Sequence, residues 1–223
     1  MGRRIFITAT DTGSGKSYVT THLISLLLAR GIDAVALKPV ACGHDESGVN
    51  EDVATLLKAQ GGNDAAQLNL YSFAGAASPN IAAAAEGARI DSDKLLAWCE
   101  REAAMHDITL IEGVGGVMVP LNEAYLVSDW IAGLNDCEVV LVIGARLGAI
   151  NHALLTLREL EQCGCAPGHV IINGLDPDYA ADVALSIKPF LPETCTLHQL
   201  SFDAAGEEWE PLLTGLLANH PIR

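Results

Sequence analysis

Short apolar runs alternate with longer amphipathic stretches through most of this chain. Runs that are apolar on both faces and rich in β-branched residues are typical of strands with helices packed on both sides. The predicted strands are residues 4–8, 34–39, 108–112, 139–143, 170–173 and 196–200. The predicted helices are residues 17–30, 51–60, 91–106, 126–133, 151–163, 180–190 and 208–219, with a further short helix in the alanine-rich loop 74–88. This alternation predicts an α/β fold with a doubly wound, mainly parallel sheet flanked by helices.

Two helix boundaries carry local signals. Asp91 and Ser92 have short polar side chains that are suited to cap the helix that follows them. Gly31 can adopt the left-handed backbone that commonly ends a helix, so the first helix is predicted to stop there.

The composition shows that the chain is strongly acidic. It has 28 Asp and Glu residues against 13 Lys and Arg, a formal net charge of −15. Such a surface repels nucleic-acid phosphates, so we expect small-molecule ligands and no nucleic-acid partner. The absence of a long apolar run and of an apolar leader predicts a cytoplasmic protein without a membrane partner. Because 50% of the 223 residues are hydrophobic, residues 1–223 are predicted to form a single domain.

A phosphate-binding loop is predicted at residues 9–17, which read Ala-Thr-Asp-Thr-Gly-Ser-Gly-Lys-Ser between the first strand and the first helix. Gly13 and Gly15 let backbone N–H groups turn toward an anion. Lys16 supplies positive charge for the β- and γ-phosphates of a nucleotide, and the Ser17 hydroxyl is suited to Mg²⁺. A glycine turn before an ordinary helix is the alternative interpretation.

Polar residues also end several predicted strands, where ligands of doubly wound folds bind. Lys38 precedes Pro39, which keeps the chain extended, so its amine is predicted to face the ligand; a solvated surface lysine is the alternative. Glu112 fits the Mg²⁺-facing carboxylate of P-loop enzymes. Asp52 is a further oxygen ligand or, by spacing alone, a helix cap. Asn173 offers an amide that can read a nucleobase edge, and the spacing leaves the identity of the base open.

Taken together, these motifs resemble those of the dethiobiotin synthetase family. Residues 9–17 resemble its G-T-D-T-x-x-G-K-T, and residues 38–43, Lys-Pro-Val-Ala-Cys-Gly, resemble its K-P-V-x-S/T-G. Residues 78–79, 112–116, 147–152 and Asn173 follow in the family's order, so the resemblance covers most of the chain. It implies a P-loop NTPase fold. It also implies an ATP-dependent cyclo-ligase of biotin biosynthesis, which forms the ureido ring of dethiobiotin from 7,8-diaminononanoate and CO₂ or bicarbonate through a phosphorylated carbamate.

The resemblance further implies a role for each matched residue. The implied catalytic residues are Lys38, Lys16 and Thr12, and the implied Mg²⁺ ligands are Ser17, Asp52 and Glu112. The implied ATP-binding residues are Gly13, Ser14, Gly15, Lys16, Ser17, Tyr18, Asp52, Glu112, Gly113, Val114, Gly115, Asn173, Gly174, Ser201, Phe202 and Asp203. The implied substrate-binding residues are Cys42, Ser78, Gly148, Ala149, Ile150 and Asn151. The last four begin a helix that would bind the carboxylate of the diamine across the interface of a homodimer.

Three positions depart from the family pattern. Ala9 replaces the first glycine of the loop, and Gly13 stands where the family commonly has an acidic residue near the diamine. Cys42 replaces a hydroxyl that touches substrate. Since a thiol is a weaker donor than a hydroxyl, we expect retuned binding with unchanged chemistry.

Two other functions suit the same fold. One is a regulatory ATPase switch that resembles the chromosome-partitioning ParA family, whose signature lysine would stand at Asp11. The other is a different ATP-dependent amidoligase. That function would not explain why the motif at residues 38–40 occurs together with the motif at residues 148–151. An ATPase switch would hydrolyse ATP without the diamine, so diamine-stimulated phosphate release separates these functions.

Overall fold

The computed structural model describes residues 2–46, 48–62, 64–174, 176–201, 204 and 206–218. The strands are β1 (Arg3–Ala9), β2 (Ala34–Leu37), β3 (Val40–Cys42), β4 (Tyr71–Phe73), β5 (Ile108–Glu112), β6 (Pro120–Asn122), β7 (Tyr125–Leu126), β8 (Cys137–Gly144), β9 (His169–Asn173) and β10 (Thr196–Leu200). The helices are α1 (Lys16–Ala29), α2 (Glu51–Ala59), α3 (Pro79–Ala85), α4 (Ser92–Ala103), α5 (Val127–Gly133), α6 (Ala149–Gln162), α7 (Pro177–Ile187) and α8 (Gly206–Leu217). The segments Ala65–Gln67 and Lys188–Phe190 are short 3₁₀ helices.

The central element of the described chain is a sheet of six parallel strands in the order β2–β5–β1–β8–β9–β10. The β1 strand lies in its interior, between β5 and β8, with Ile7 opposite both Glu112 and Val140. Because the strands are parallel, their carboxyl ends meet at one edge, where the loops after β1, β2 and β5 lie side by side. The predicted fold, a parallel sheet flanked by helices, is confirmed.

The core explains why the sheet strands read as continuous apolar runs. All five residues of β5 are buried, because helices cover both faces of the sheet. In the core, Phe6 of β1 packs edge-to-face on Trp130 of α5, with ring centroids 4.8 Å apart and both side chains fully buried. This contact joins the central strand to a covering helix.

The predicted carboxyl-terminal end of the second strand is wrong. It was expected to run to Pro39, whereas β2 stops at Leu37 and the Lys38 N–H donates to the carbonyl of Leu68 at 2.8 Å. Proline has no N–H for a sheet ladder, so the chain leaves the main sheet here. It then forms β3, which pairs with β4 in a separate two-stranded sheet. The pairs β3–β4 and β6–β7 were not predicted, since strands of two or three residues have no readable periodicity.

Both signalled helix boundaries are confirmed. The Asp91 side chain accepts from the Lys94 N–H at 3.0 Å, and Gly31 has the left-handed φ of 73°. The predicted short helix in the loop 74–88 is α3. In the described residues α8 ends at Leu217, and the predicted end at Asn219 lies outside them.

No helix in the described part of the chain has both the length and the apolarity to cross a bilayer.

Phe6→Ala is expected to lower the free energy of unfolding by about 3–5 kcal/mol, because it leaves a cavity against Trp130 in a fully buried layer. Chemical denaturation monitored by circular dichroism measures the loss. Leu185→Ala on α7, where the side chain is 70% exposed, is the matched control and should change stability by less than about 0.5 kcal/mol. Equal losses for the two variants would contradict this account of the core.

Candidate functional site

A cavity of about 670 Å³ opens at the carboxyl edge of the sheet. It lies between the loop after β1, the end of β2 and the loops around β3, α3 and β5. Its lining residues are Thr12, Gly13, Gly15, Lys16, Ser17, Tyr18, Lys38, Cys42, Asp52, Ala76, Ala77, Ser78, Pro79, Val114, Gly115 and Val119. Most of the residues predicted to bind phosphate, metal and diamine therefore face one space.

The loop between β1 and α1 has the backbone that a phosphate cradle needs. Gly13 and Gly15 have φ values of 73° and 99°, in the left-handed region that favours glycine. A side chain on Gly15 would also collide with the Asn173 amide, whose nitrogen would lie 2.0 Å from its Cβ. Asn173 Nδ2 donates to the Ser14 carbonyl at 3.1 Å, so the end of β9 holds the loop in place.

Lys16 begins α1 and is held in the site by carbonyl groups. Its Nζ donates to the carbonyl oxygens of Gly115 at 2.9 Å and Asp11 at 3.2 Å. Burial and the neighbouring charge of Lys38 lower the pKa of Lys16 to about 8, against the opposite effect of Glu112 and Asp52. An anion such as a phosphate would supply the negative charge that these carbonyls only partly provide.

Lys38 lies at the end of β2 beside two carboxylates. Its Nζ is 2.6 Å from Glu112 Oε1, 3.2 Å from Asp52 Oδ2 and 3.1 Å from the Gly113 carbonyl oxygen. Burial opposes the charged form, yet the charges of Glu112 and Asp52 raise the pKa of Lys38 above its usual range. The pKa of Asp52 is lowered, because Lys38 and the Ser17 hydroxyl outweigh its burial. The surface-lysine alternative is therefore wrong, since Lys38 is 3% exposed.

The donor set suits a magnesium ion. Ser17 Oγ lies 2.7 Å from Asp52 Oδ1 and 2.8 Å from Glu112 Oε1, so a hydroxyl and two carboxylates converge. Glu112 is fully buried, and its Oε2 has no hydrogen-bond partner among the described residues. Mg²⁺ typically takes one or two carboxylates and completes its shell with water and substrate phosphates. Asn50, rather than Asp52, caps α2 with its side-chain oxygen, which leaves the Asp52 carboxylate available.

The far wall of the cavity carries Cys42 and Ser78. Burial raises the pKa of the Cys42 thiol to about 11, against the lowering effect of Lys38, so the thiol stays protonated at neutral pH. Ser78 Oγ is buried and has no hydrogen-bond partner within the described ranges. These groups offer weak or unpaired donors to a ligand, and the neighbouring Ala76, Ala77 and Pro79 give this wall an apolar surface.

Other predicted site residues lie off this cavity. Ser14, Glu112 and Gly113 lie behind its lining; Asn173 and Gly174 lie behind the phosphate loop, where Gly174 approaches Ala145. Ser201 Oγ donates to the Glu208 carboxylate at 2.9 Å, and Phe202 and Asp203 lie outside the described residues. Gly148, Ala149, Ile150 and Asn151 form the start of α6 and are not among the described residues that line the cavity.

Comparison with known proteins gives the family. A family model described as an AAA domain matches residues 3–198. The ATP-dependent dethiobiotin synthetase of Acidiphilium cryptum is 42% identical over 179 residues, which are 77% of this chain and 80% of that protein. The ATP-dependent dethiobiotin synthetase of Cellvibrio japonicus is 36% identical over 226 residues, covering 96% of this chain and 98% of the relative. This chain belongs to the dethiobiotin synthetase family.

Solved structures that are similar to this member of the dethiobiotin synthetase family share its fold. Hydrogenase maturation factor HypB of Archaeoglobus fulgidus has a TM-score of 0.57 at 15% identity, covering 97% of this chain and 90% of that one. A ParA family ATPase of Chlorobium tepidum has a TM-score of 0.53 at 14% identity, covering 99% and 94%. At these identities the likeness shows the fold alone, and it confirms the predicted P-loop NTPase type.

Several features of this dethiobiotin synthetase family site were not predicted. Val119 and the backbone carbonyls of Asp11 and Gly115 carry no sequence signal, because they act through position or main-chain atoms. Asn50 did carry one, since an Asn directly before the predicted start of α2 is a favoured cap. That signal would have assigned the cap correctly and left Asp52 as a ligand.

Gly15→Ala is expected to cost roughly 2–3 kcal/mol of unfolding free energy, from left-handed strain together with the collision with Asn173. Gly13→Ala is the matched control, since its added Cβ meets nothing within 4 Å, and should cost about 1–2 kcal/mol.

Chemical denaturation of the double variant Gly15→Ala/Asn173→Ala separates the two terms. Without the Asn173 amide, the alanine at position 15 should cost only the backbone strain, so the single effects should not add. Full additivity would show that the collision does not exist.

Proposed function

We propose that this protein is an ATP-dependent cyclo-ligase that forms the ureido ring of dethiobiotin from 7,8-diaminononanoate and CO₂ or bicarbonate in biotin biosynthesis. The observation that carries the proposal is the placement of Lys38, a buried lysine at a strand end, in one cavity with a phosphate loop and within 3.2 Å of two carboxylates. The curated relatives at 42% and 36% identity are named ATP-dependent dethiobiotin synthetase, which supports the same activity here.

The nucleotide would bind along the phosphate loop. Lys16 and the N–H groups of residues 13–17 would contact its β- and γ-phosphates, because a helix N-terminus and a lysine both favour negative charge. Ser17, Asp52 and Glu112 would hold Mg²⁺, which would supply positive charge to the transferring phosphoryl group. The remaining proposed ATP contacts are Ser14, Tyr18, Gly113, Val114, Gly115, Asn173, Gly174, Ser201, Phe202 and Asp203.

The reaction would build negative charge next to Lys38. One amine of the diamine attacks CO₂ and loses a proton, which gives a carbamate; its oxygen attacks the γ-phosphorus as ADP leaves. The second amine then attacks the carbamoyl carbon, and phosphate leaves as the ring closes. Lys38, Lys16 and the Thr12 side chain would stabilise the anionic carbamate and the transferring phosphoryl, as fixed donors do at sites of developing charge.

The diamine site would need a second copy of the chain. Cys42 and Ser78 would contact the diamine within one protomer, while residues 148–151 begin α6 away from the same protomer's cavity. A second hollow of about 370 Å³, lined partly by Met118, His152 and Leu155, lies next to the phosphate loop. Met118, Leu147 and Leu155 are 56%, 95% and 59% exposed, an apolar surface that supports a homodimer.

We also propose that residues 1–223 act as one domain and that the enzyme works in the cytoplasm. The six-stranded parallel sheet draws strands from β1 to β10, which supports one domain for the described part. The expected absence of nucleic-acid and membrane partners stays a prediction from the charge and hydropathy of the sequence.

A mixture of the protein, MgATP, bicarbonate and 7,8-diaminononanoate should yield dethiobiotin, detected by mass spectrometry, with phosphate release that depends on the diamine.

Lys38→Met should lower kcat by about 10²–10³-fold while ATP still binds, because a donor to the developing charge is lost. Lys58→Met, an exposed lysine on α2, is the control and should keep full turnover. Phosphate release that ignores the diamine would instead indicate an ATPase switch.

ATP affinity should fall as the pH rises above about 8. Below that pH Lys16 is protonated and pairs with phosphate; above it the free protein must first take up a proton, so affinity drops by up to about tenfold per pH unit. Lys16→Arg keeps its charge and should give a flat profile over the same range. Isothermal titration calorimetry from pH 7 to 10 makes the comparison, and parallel profiles for the two proteins would refute it.

A further inference from the structure

The ammonium group of Lys38 fills a place between the two carboxylates of the proposed metal site. Its Nζ lies 2.6 Å from Glu112 Oε1 and 3.2 Å from Asp52 Oδ2, the same two side chains that the Ser17 hydroxyl approaches. Lys38 and the proposed divalent cation would thus share one pair of carboxylates.

All three N–H donors of Lys38 have an acceptor in this arrangement. Besides the two carboxylates, the Gly113 carbonyl oxygen lies 3.1 Å from Nζ. An ammonium has three donors, so a carbamate or a phosphoryl oxygen can bind Lys38 only if one of these contacts is given up. With these three contacts in place, Lys38 has no N–H donor left for a substrate oxygen.

Burial explains why something must occupy this place. Glu112 is fully buried, and a buried carboxylate without a positive partner is strongly unfavourable. The positive charge nearest to Glu112 Oε1 and Asp52 Oδ2 in the described chain is Lys38. A bound divalent cation would satisfy the same carboxylates, and the buried Oε2 of Glu112 would gain a partner.

We propose that Lys38 is the built-in counter-ion of Glu112 and Asp52, and that the nucleotide-bound divalent cation displaces it and releases its ammonium toward the diamine side of the cavity. This inference rests on the proposed function, which assigns both the metal and the carbamate. It makes metal binding a precondition of Lys38 catalysis, so the lysine is free for the carbamate only when the nucleotide is in place. Cys42 and Ser78 line the same cavity as Lys38.

Lys16 offers a matched comparison within the same cavity. It carries the same charge, but its Nζ donates to the carbonyls of Gly115 and Asp11 rather than to the metal-site carboxylates. Removing Lys16 changes the net charge of the cavity by the same amount as removing Lys38. A difference between the two variants therefore reports the direct contact of Lys38 with the carboxylates and not the net charge of the cavity.

The experiment measures Mn²⁺ binding to the nucleotide-free protein, with free Mn²⁺ followed by electron paramagnetic resonance. Lys38→Met should bind Mn²⁺ about tenfold or more tightly than the unchanged protein, because the competing charge sits within contact distance of the ligands. Lys16→Met should gain less than about threefold, since its charge lies further from the ligands than the charge of Lys38. Equal gains for the two variants, or no gain for Lys38→Met, would overturn the proposal.

Two further variants protect the test against a folding defect. Lys38→Gln keeps a donor for Glu112 without a charge and should also gain Mn²⁺ affinity; Lys38→Arg keeps the charge and should gain none. Thermal unfolding without metal checks that each variant is folded. A gain in Lys38→Arg equal to that in Lys38→Gln would overturn the counter-ion role.

The measurement uses neither nucleotide nor diamine. It therefore separates failure of this proposal from failure of the proposed function, which is decided by diamine-dependent ring formation. Unchanged Mn²⁺ binding in an active ring-forming enzyme would reject the counter-ion role alone.

Discussion

The parallel pairing of β1 with β5 is the constraint on which the site depends. The register sets Ile7 opposite Glu112, and the Gly113 N–H continues the ladder by donating to the Ile7 carbonyl at 3.0 Å. A side chain at Gly113 would come within 2.8 Å of the Phe6 ring, so the close approach needs glycine. As a result, the carboxylate that ends β5 is held level with the phosphate loop that leaves β1.

The two lysines of the site differ in their neighbours, and this difference suits them to different roles. Lys16 is surrounded by carbonyl groups, and burial lowers its pKa to about 8. Lys38 is more deeply buried, yet Glu112 and Asp52 raise its pKa, so its amine stays protonated at neutral pH. The first lysine is suited to an anion that arrives from outside; the second already has its anions, and must exchange them before it can act on another.

The fold is shared with proteins of different function, while the chemistry lies in residues at the strand ends. HypB and the ParA family ATPase have similar folds at 15% and 14% identity, and such a likeness carries no activity. In this chain that sheet edge carries Lys38 and an apolar wall of Ala76, Ala77 and Pro79, which line one cavity with the loop after β1. The start of α6 lies outside that cavity.

The sequence by itself determined the sheet strands, the phosphate loop and the residues at the strand ends. Those features are local, since apolar runs, glycines before Lys-Ser and a polar residue after a strand can be read along the chain. Only the tertiary structure decided that β2 ends at Leu37, before Pro39, and that Asn173 braces the phosphate loop. It alone also decided that Lys38 rests on Glu112, because that contact joins side chains 74 positions apart and depends on the register of neighbouring strands.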